Sequence, residues 1–251
     1  MESEIKVVVL AAGKGTRLQE NGEDAPKVMR QIGGKPMLWY VLDALKFIAK
    51  SDVILVVGYK KEEITDSFAG YIFTEQTEQL GTGHAVMAAQ SELAGYNGAV
   101  LVCYGDMPLI KQDTYESLLR THFEQDNDCT ILTGESRLRL PYGRIVRDTA
   151  GGFVKVVEEK DCSPDELKIT ELNTGVYVFR APMLLKALGE IKTDNAQGEY
   201  YITDAPAIML AGGAKIALFN RAADDEIIGV NTPEQLAMAA AILDPAQTTG
   251  D

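Results

Sequence analysis

Two rhythms of hydrophobic and polar positions alternate along the first half of this chain. Residues 5–11 form a valine-rich apolar run, the pattern of a strand covered on both faces. After Pro36, the residues Leu38, Val41, Leu42, Leu45 and Ile48 recur at helical spacing, with proline at the favoured first position. Residues 52–57 then read as a second strand, 60–66 as a short charged helix and 71–74 as a third strand. A helix over 82–93 and a strand over Ala99–Tyr104 follow, and Asp113 with Glu116 predicts a capped helix running to residue 123. Residues 129–132 are again strand-like. Strands alternating with helices predict right-handed βαβ units and a parallel sheet.

Beyond Leu140 the rhythm changes. Arg144–Arg147, Phe153–Val157 and residues 175–179 read as strands with little helix between them, followed by a helix over 199–210 and a strand over 216–219. Thr232, Pro233, Glu234 and Gln235 form a capping box that opens a closing helix over 232–243, and residues 244–251 are expected to fray. No repeat, low-complexity tract or linker interrupts the chain. The expectation is one α/β domain over 1–243, with a Rossmann-like mixed, mainly parallel sheet flanked by helices. Its first lobe covers about 1–134, and a β-rich lobe over about 135–225 carries a second substrate.

Composition narrows the class. The 251 residues are 46% hydrophobic and 24% charged, ordinary for a globular enzyme. The apolar run near the N-terminus is too short to span a bilayer and lacks the flanks of a leader, so a cytoplasmic protein is expected. A balance of 24 basic against 37 acidic residues gives −13, which argues against polymeric nucleic acid as a partner. A phosphate ligand would need cations gathered locally. Cys103, Cys129 and Cys162 fit no zinc or disulfide spacing and read as reduced thiols.

Such cations occur in Leu10-Ala11-Ala12-Gly13-Lys14-Gly15-Thr16-Arg17-Leu18, a glycine-rich loop leaving the first strand. Gly13 and Gly15 permit close backbone approach to an anion, while Lys14 and Arg17 supply charge. Leu18 stands where a dinucleotide fingerprint needs its third glycine, and Thr16-Arg17-Leu18 does not supply the Gly-Lys-Ser/Thr ending of a P-loop. A tight βα turn with incidental glycines is the bland alternative.

The loop resembles the LxxGxGTRL signature of the sugar nucleotidyltransferases, and Pro26-Lys27 resembles that family's following Pro-Lys. Residues 76–85 (Gln-Thr-Glu-Gln-Leu-Gly-Thr-Gly-His-Ala) resemble the uracil-reading loop of the bacterial N-acetylglucosamine 1-phosphate uridyltransferases. Further matches are Tyr104-Gly105-Asp106, Tyr142-Gly143-Arg144-Ile145, Val157-Glu158-Glu159-Lys160-Asp161, Glu171-Leu172-Asn173-Thr174-Gly175, the run from Asn195 to Asp204, and Gly229-Val230-Asn231-Thr232. They appear in the family's order from Val9 to about Leu236.

That resemblance implies a Mg²⁺-dependent transfer of a uridylyl group from UTP to N-acetylglucosamine 1-phosphate, with release of pyrophosphate. It places Leu10, Ala11, Ala12, Gly13, Gly15, Gln76, Gly81 and Thr82 at the nucleotide, and Arg17 and Lys27 at the reacting phosphates. Tyr104, Gly105, Gly143, Glu158, Asn173, Tyr201 and Thr203 fall at the sugar, and Asp106 with Asn231 at the metal. His84, read as a helix-face residue, and His122, read as solvated, have no part in this chemistry. Two departures stand out. The bacterial enzymes usually continue into hexapeptide repeats of an acetyltransferase, absent from this sequence, so acetyl transfer is not expected. Residues 134–140 also differ from the family's loop and leave the identity of the sugar open. A different triphosphate and sugar phosphate, a catalytically silent sugar-nucleotide sensor and a metal-dependent glycosyltransferase are the rival readings. The last usually needs two aspartates one residue apart, and Asp106-Met107-Pro108 breaks that pattern.

Overall fold

Val7, Val8 and Val9 of strand β1 (Ile5–Leu10) are all fully buried, and successive residues enter different cores. Val7 and Val9 join one hydrophobic cluster, while Val8 and Leu10 join another across the sheet. A period of two with no polar phase produces this, because both faces of the strand are covered. A computed structural model describes residues 5–18, 24–136, 140–223 and 225–243. The tail expected to fray and residues 137–139 of the divergent loop lie outside them.

Among the described residues, β1 is followed by a small hairpin of β2 (Gln31–Ile32) and β3 (Lys35–Pro36), then α1 (Met37–Ala44), β4 (Val53–Val57), α2 (Lys61–Ser67) and β5 (Ile72–Glu75). Next come α3 (Thr82–Met87), α4 (Gln90–Leu93), β6 (Ala99–Tyr104), α5 (Gln112–Glu124) and β7 (Cys129–Glu135). The chain continues through β8 (Arg144–Arg147), β9 (Phe153–Val157), β10 (Glu171–Arg180), α6 (Ala181–Leu188), α7 (Ala205–Ala211), β11 (Ile216–Ala222) and α8 (Pro233–Leu243). Nine strands make one sheet in the order β11-β7-β10-β6-β1-β4-β5, with β8 and β9 attached through β10. Neighbours from β5 to β6 are parallel, as are β7 and β11, whereas β10 runs against both β6 and β7. The expected mixed α/β sheet is thus present. Its register sets Leu10 beside Tyr104, so the carboxyl ends of β1 and β6 open toward the same space.

Several local expectations are corrected. The helix over 82–93 is two short helices, α3 and α4. The one over 199–210 begins only at Ala205, after a single 3₁₀ turn at Ile202–Asp204, because the backbone before it is used elsewhere. Tyr200 donates its N–H to Leu80 O (2.8 Å) and its carbonyl accepts from Gly83 N (2.7 Å). Helix α6, with proline in its first turn, occupies a stretch to which the sequence reading assigned no element. Asp113 and Glu116 do not cap α5. Its N-cap is Lys111, and the capping carboxylate comes from Glu226, far along the chain. Buried Glu226 accepts from Thr114 Oγ1 at 2.7 Å and from Lys111 N at 3.4 Å, which places negative charge at the helix N-terminus. The Thr232–Gln235 box is as expected: Gln235 N donates to Thr232 Oγ1 (3.3 Å) and Gln235 Oε1 accepts from Thr232 N (3.2 Å).

His122 is the clearest reversal. It is 3% exposed rather than solvated, because the last turn of α5 packs that face inward, and its Nδ1 lies 3.0 Å from Thr130 Oγ1. Burial, aided by the charge of Arg180, pulls its pKa from 6.5 to about 4. The folded state therefore favours neutral imidazole, and its contribution is complete above pH 6.5 and is lost as pH falls toward 4. Urea unfolding is expected to show about 2 kcal/mol less stability from this residue at pH 5 than at pH 7. His122→Gln should flatten that part of the pH dependence, and an unchanged slope in the variant would contradict the assignment.

Candidate active site

The glycine loop bends back so that residue 27 covers the end of β1. Lys27 N donates to Gly13 O (3.2 Å), and Leu18, 4% exposed, pins the far side of the loop into a small core with Ile32 and Met37. Gly15 has φ +66° and lies against Lys27; a Cβ there would stand 2.7 Å from the Lys27 Cβ. The loop can therefore press close to the lysine only with glycine at this position. The Lys27 ammonium then bonds the Asp106 carboxylate and Asn231 Oδ1, the latter at 2.8 Å.

Those two oxygens are placed by separate elements tied together through the backbone. Asp106 follows β6 at a turn where Gly105 N donates to Leu10 O (2.9 Å), fixing it beside the glycine loop. Val230 N donates to Asp106 O (2.9 Å), which brings the segment of Asn231 alongside. Asn231 N donates to Gln235 Oε1 (2.8 Å), so the capping box of α8 also orients this residue, and Gly229 N donates to the Tyr142 hydroxyl (2.6 Å).

A carboxylate and an amide oxygen thus converge on one cationic group. Hard oxygen donors of this kind fit Mg²⁺, which takes one or two carboxylates and completes its shell with water and substrate phosphate. Among the described residues, no group of three or more His, Cys, Asp or Glu side chains gathers for a metal. An ion at Asp106 and Asn231 would thus depend on its ligand for the remaining oxygens.

Beside this cluster lies a cavity of about 240 Å³, lined among others by Leu10, Ala12, Gly13, Lys27, Tyr104 and Asp106 and by Gln76, Gln79, Gly81, Thr82 and Glu199. Gln76 is buried, and its Nε2 lies 3.1 Å from Gly81 O and 3.2 Å from His84 Nδ1. Both amide hydrogens are directed into the loop, so its amide oxygen is the group left for a ligand. Gln79 donates to Ala12 O (2.6 Å), linking this wall to the glycine loop. The Thr82 hydroxyl accepts from Ile202 N (3.1 Å).

The residues expected at the sugar divide. Tyr104 lines the first cavity; Glu158, Tyr201 and Thr203 line a second of about 470 Å³ with Asp161, Asp204 and Lys192. Gly143 and Asn173 pack together instead, with Asn173 N donating to Gly143 O (2.9 Å). Burial raises the Glu158 pKa; the nearby Thr203 hydroxyl opposes the shift, and Asp161, Asp204 and Glu199 add to it. Burial likewise raises Tyr104 strongly and takes Tyr201 up to about 12. The buried Thr203 hydroxyl stands beside Glu158 on the wall of the second cavity.

The expected cation cluster is reduced. Lys27 lines the cavity, but Lys14 lies over the Tyr59 ring, 4.9 Å from its centroid, and Arg17 is exposed on the 3₁₀ turn Thr16–Leu18. Ala11 and Gly105 sit behind the cavity wall rather than on it. Gln79, Glu199 and Tyr142 escape the sequence reading. All three sit inside recognised runs, which was the available signal; that Tyr142 bonds Gly229, 87 positions on, is not legible from either run.

Comparison with known proteins gives the family and the shared fold. Residues 7–201 match the family model described as the MobA-like NTP transferase domain. The bifunctional protein GlmU of Lactobacillus delbrueckii subsp. bulgaricus is 43% identical over 238 residues, covering 94% of this chain and 51% of that protein. GlmU of Streptococcus gordonii is 43% identical over 237 residues with the same coverage. The chain spans about half the length of these curated relatives. A crystal structure of a putative glucose-1-phosphate thymidylyltransferase from Bacillus anthracis, in complex with sucrose, superposes with a TM-score of 0.74 at 20% identity, covering 98% of each chain, which shows the shared fold.

Gly175 supports the wall of this cavity. It has φ +79° at an irregularity of β10, and a Cβ there would overlap the Tyr104 ring. Gly175→Ala should destabilise the protein by about 1–3 kcal/mol. Combined with Tyr104→Ala, the loss should be smaller than the sum of the two, because the ring that obstructs the new methyl is gone. Strictly additive losses in chemical denaturation would show that the ring and the glycine are not coupled.

Proposed function

The chain belongs to the MobA-like NTP transferase domain family, and from that membership and the site's geometry we propose that it transfers a uridylyl group from UTP to N-acetylglucosamine 1-phosphate. The observation that carries the reading is the bonding of Lys27 to Asp106 and Asn231 beside one cavity that Lys27, Asp106, Gln76 and Gly81 all line. Relatives named GlmU at 43% identity support a phosphosugar acceptor over the other substrates of a nucleotidyltransferase.

The reaction is an in-line displacement. A phosphate oxygen of the sugar 1-phosphate bonds to the α-phosphorus of UTP, and the bond from that phosphorus to the bridging oxygen breaks, so that pyrophosphate leaves with the electron pair. Such chemistry depends on positioning and charge neutralisation more than on a protein base. The amide oxygen of Gln76 accepts from uracil N3–H, and Gly81 supplies a backbone partner. Cytosine presents an acceptor at that ring nitrogen, so the same amide oxygen disfavours CTP. Thr82 lies beside the ribose. Lys27 contacts the α-phosphate, while Arg17 and the amides around Gly13 and Gly15 hold the departing pyrophosphate. Glu158, Tyr201 and Thr203 of the second cavity, with Tyr104 of the first, are the groups placed to contact the sugar, with Glu158 accepting from its hydroxyls. Mg²⁺ held by Asp106 and Asn231 supplies neutralisation of the phosphate charge when bound.

A panel of triphosphates and sugar phosphates, read by pyrophosphate release, tests the proposal. UTP with N-acetylglucosamine 1-phosphate should be the best pair. Lys27→Ala should slow it on the order of 10²-fold or more, and Asp106→Ala should remove magnesium-dependent turnover with the fold intact. Turnover with another pair in preference would move the substrate assignment, and tight nucleotide binding without pyrophosphate would indicate a sensor.

A further inference from the structure

The ammonium of Lys27 and a metal ion lay claim to the same two oxygens. In this structure Lys27 Nζ bonds the Asp106 carboxylate and lies 2.8 Å from Asn231 Oδ1. The contact is largely enclosed, with side-chain exposure of 14% for Lys27 and 20% for Asp106. A carboxylate withdrawn from water this far needs a counter-charge, and the lysine supplies one from within the chain. An ammonium and a divalent cation repel each other too strongly to share two adjacent oxygens, so one excludes the other.

The lysine also has an alternative position. Its backbone is fixed by Gly13 O and by contact with Gly15, but its side chain lines the cavity, so phosphates bound there compete with Asp106 for the ammonium. Asp106 and Asn231 carry shorter side chains with less reach. Val230 N holds the backbone of Asp106, Gln235 Oε1 holds the Asn231 main-chain N–H, and Asn231 Nδ2 donates to Gly229 O at 3.4 Å. When the ammonium leaves, both oxygens stay in place as a ready pair for a cation.

We infer that Lys27 is an internal counter-cation that keeps the Asp106–Asn231 pair closed to divalent metal until the phosphates of a nucleotide draw it away. The inference rests on the proposed metal-dependent phosphate chemistry and specifies how that site is regulated. It makes metal and nucleotide binding mutually reinforcing: each raises the affinity for the other by the same factor, because both favour the displaced lysine.

The test is Mn²⁺ binding to the folded chain without nucleotide, followed by electron paramagnetic resonance of the unbound ion. Lys27→Met should bind Mn²⁺ on the order of tenfold more tightly than the wild type. Adding Asp106→Ala to that variant should abolish the gain. Equal affinity in wild type and Lys27→Met, lost in both on Asp106→Ala, would overturn the inference and leave the metal site standing. Absence of any Asp106-dependent binding would overturn both. Tight binding by Lys27→Met, with no pyrophosphate formed by the wild type on any substrate pair, would support the inference and remove the proposed function. Lys27→Gln serves as a second variant should methionine disturb the loop. In the wild type, saturating Mn²⁺ should also speed acylation of the Lys27 amine by a small reagent, and unchanged labelling would count against displacement.

Discussion

A single ammonium group sets the terms for much of this structure. Lys27 reaches Asp106, 79 positions away, and Asn231, 204 positions away, so three distant parts of the chain must agree on one point to within a hydrogen bond. The glycine loop has to fold tightly enough for Gly15 to touch the lysine. The parallel register of β1 and β6 has to place Leu10 beside Tyr104, and the segment before α8 has to pair with Asp106. Each requirement is met by backbone hydrogen bonds rather than by long side chains, which keeps the geometry stiff where charge is handled.

The charge balance of the whole chain gives this arrangement its context. At −13, the molecule has little positive charge to spare for an anionic ligand. Lys14 is engaged with Tyr59, and Lys60 with Asp24 and Glu63, so cations near the loop are partly committed to neighbouring groups. Lys27 is set apart because its partners are also the oxygens suited to a metal. The second cavity has the opposite character, with Glu158, Asp161 and Asp204 facing one another around buried hydroxyls. A neutral polyhydroxylated ligand can satisfy such groups by hydrogen bonding without bringing further negative charge to them.

What was legible in the sequence follows the physics of each element. The strands β1, β4 and β6 are continuous apolar runs because both faces are covered, and they emerge close to where the pattern puts them. The Thr232–Gln235 box reads correctly because every bond in it is local. The cap of α5 does not, because Glu226 arrives from 112 residues beyond Thr114, and no local rule anticipates a remote carboxylate. The same holds for residues 199–204, whose helical look yields to pairing with residues 80–83. At the site, family motifs single out Lys27, Asp106, Gln76 and Gly81, which the fold brings to one cavity edge. They do not reveal that Lys27 bonds both Asp106 and Asn231, nor that Glu158 and Thr203 open onto a separate cavity from Tyr104. Those facts depend on long-range packing, which spacing alone does not encode.

If one pair of oxygens, on Asp106 and Asn231, serves lysine and metal in turn, bound nucleotide should exchange the first for the second. Anomalous diffraction from crystals grown with Mn²⁺ and a non-hydrolysable UTP analogue tests it most directly. A manganese peak should stand in contact with Asp106 and Asn231, with the Lys27 ammonium moved onto the phosphates. A manganese peak elsewhere, or a Lys27 that still bridges Asp106 and Asn231 beside bound nucleotide, would contradict it.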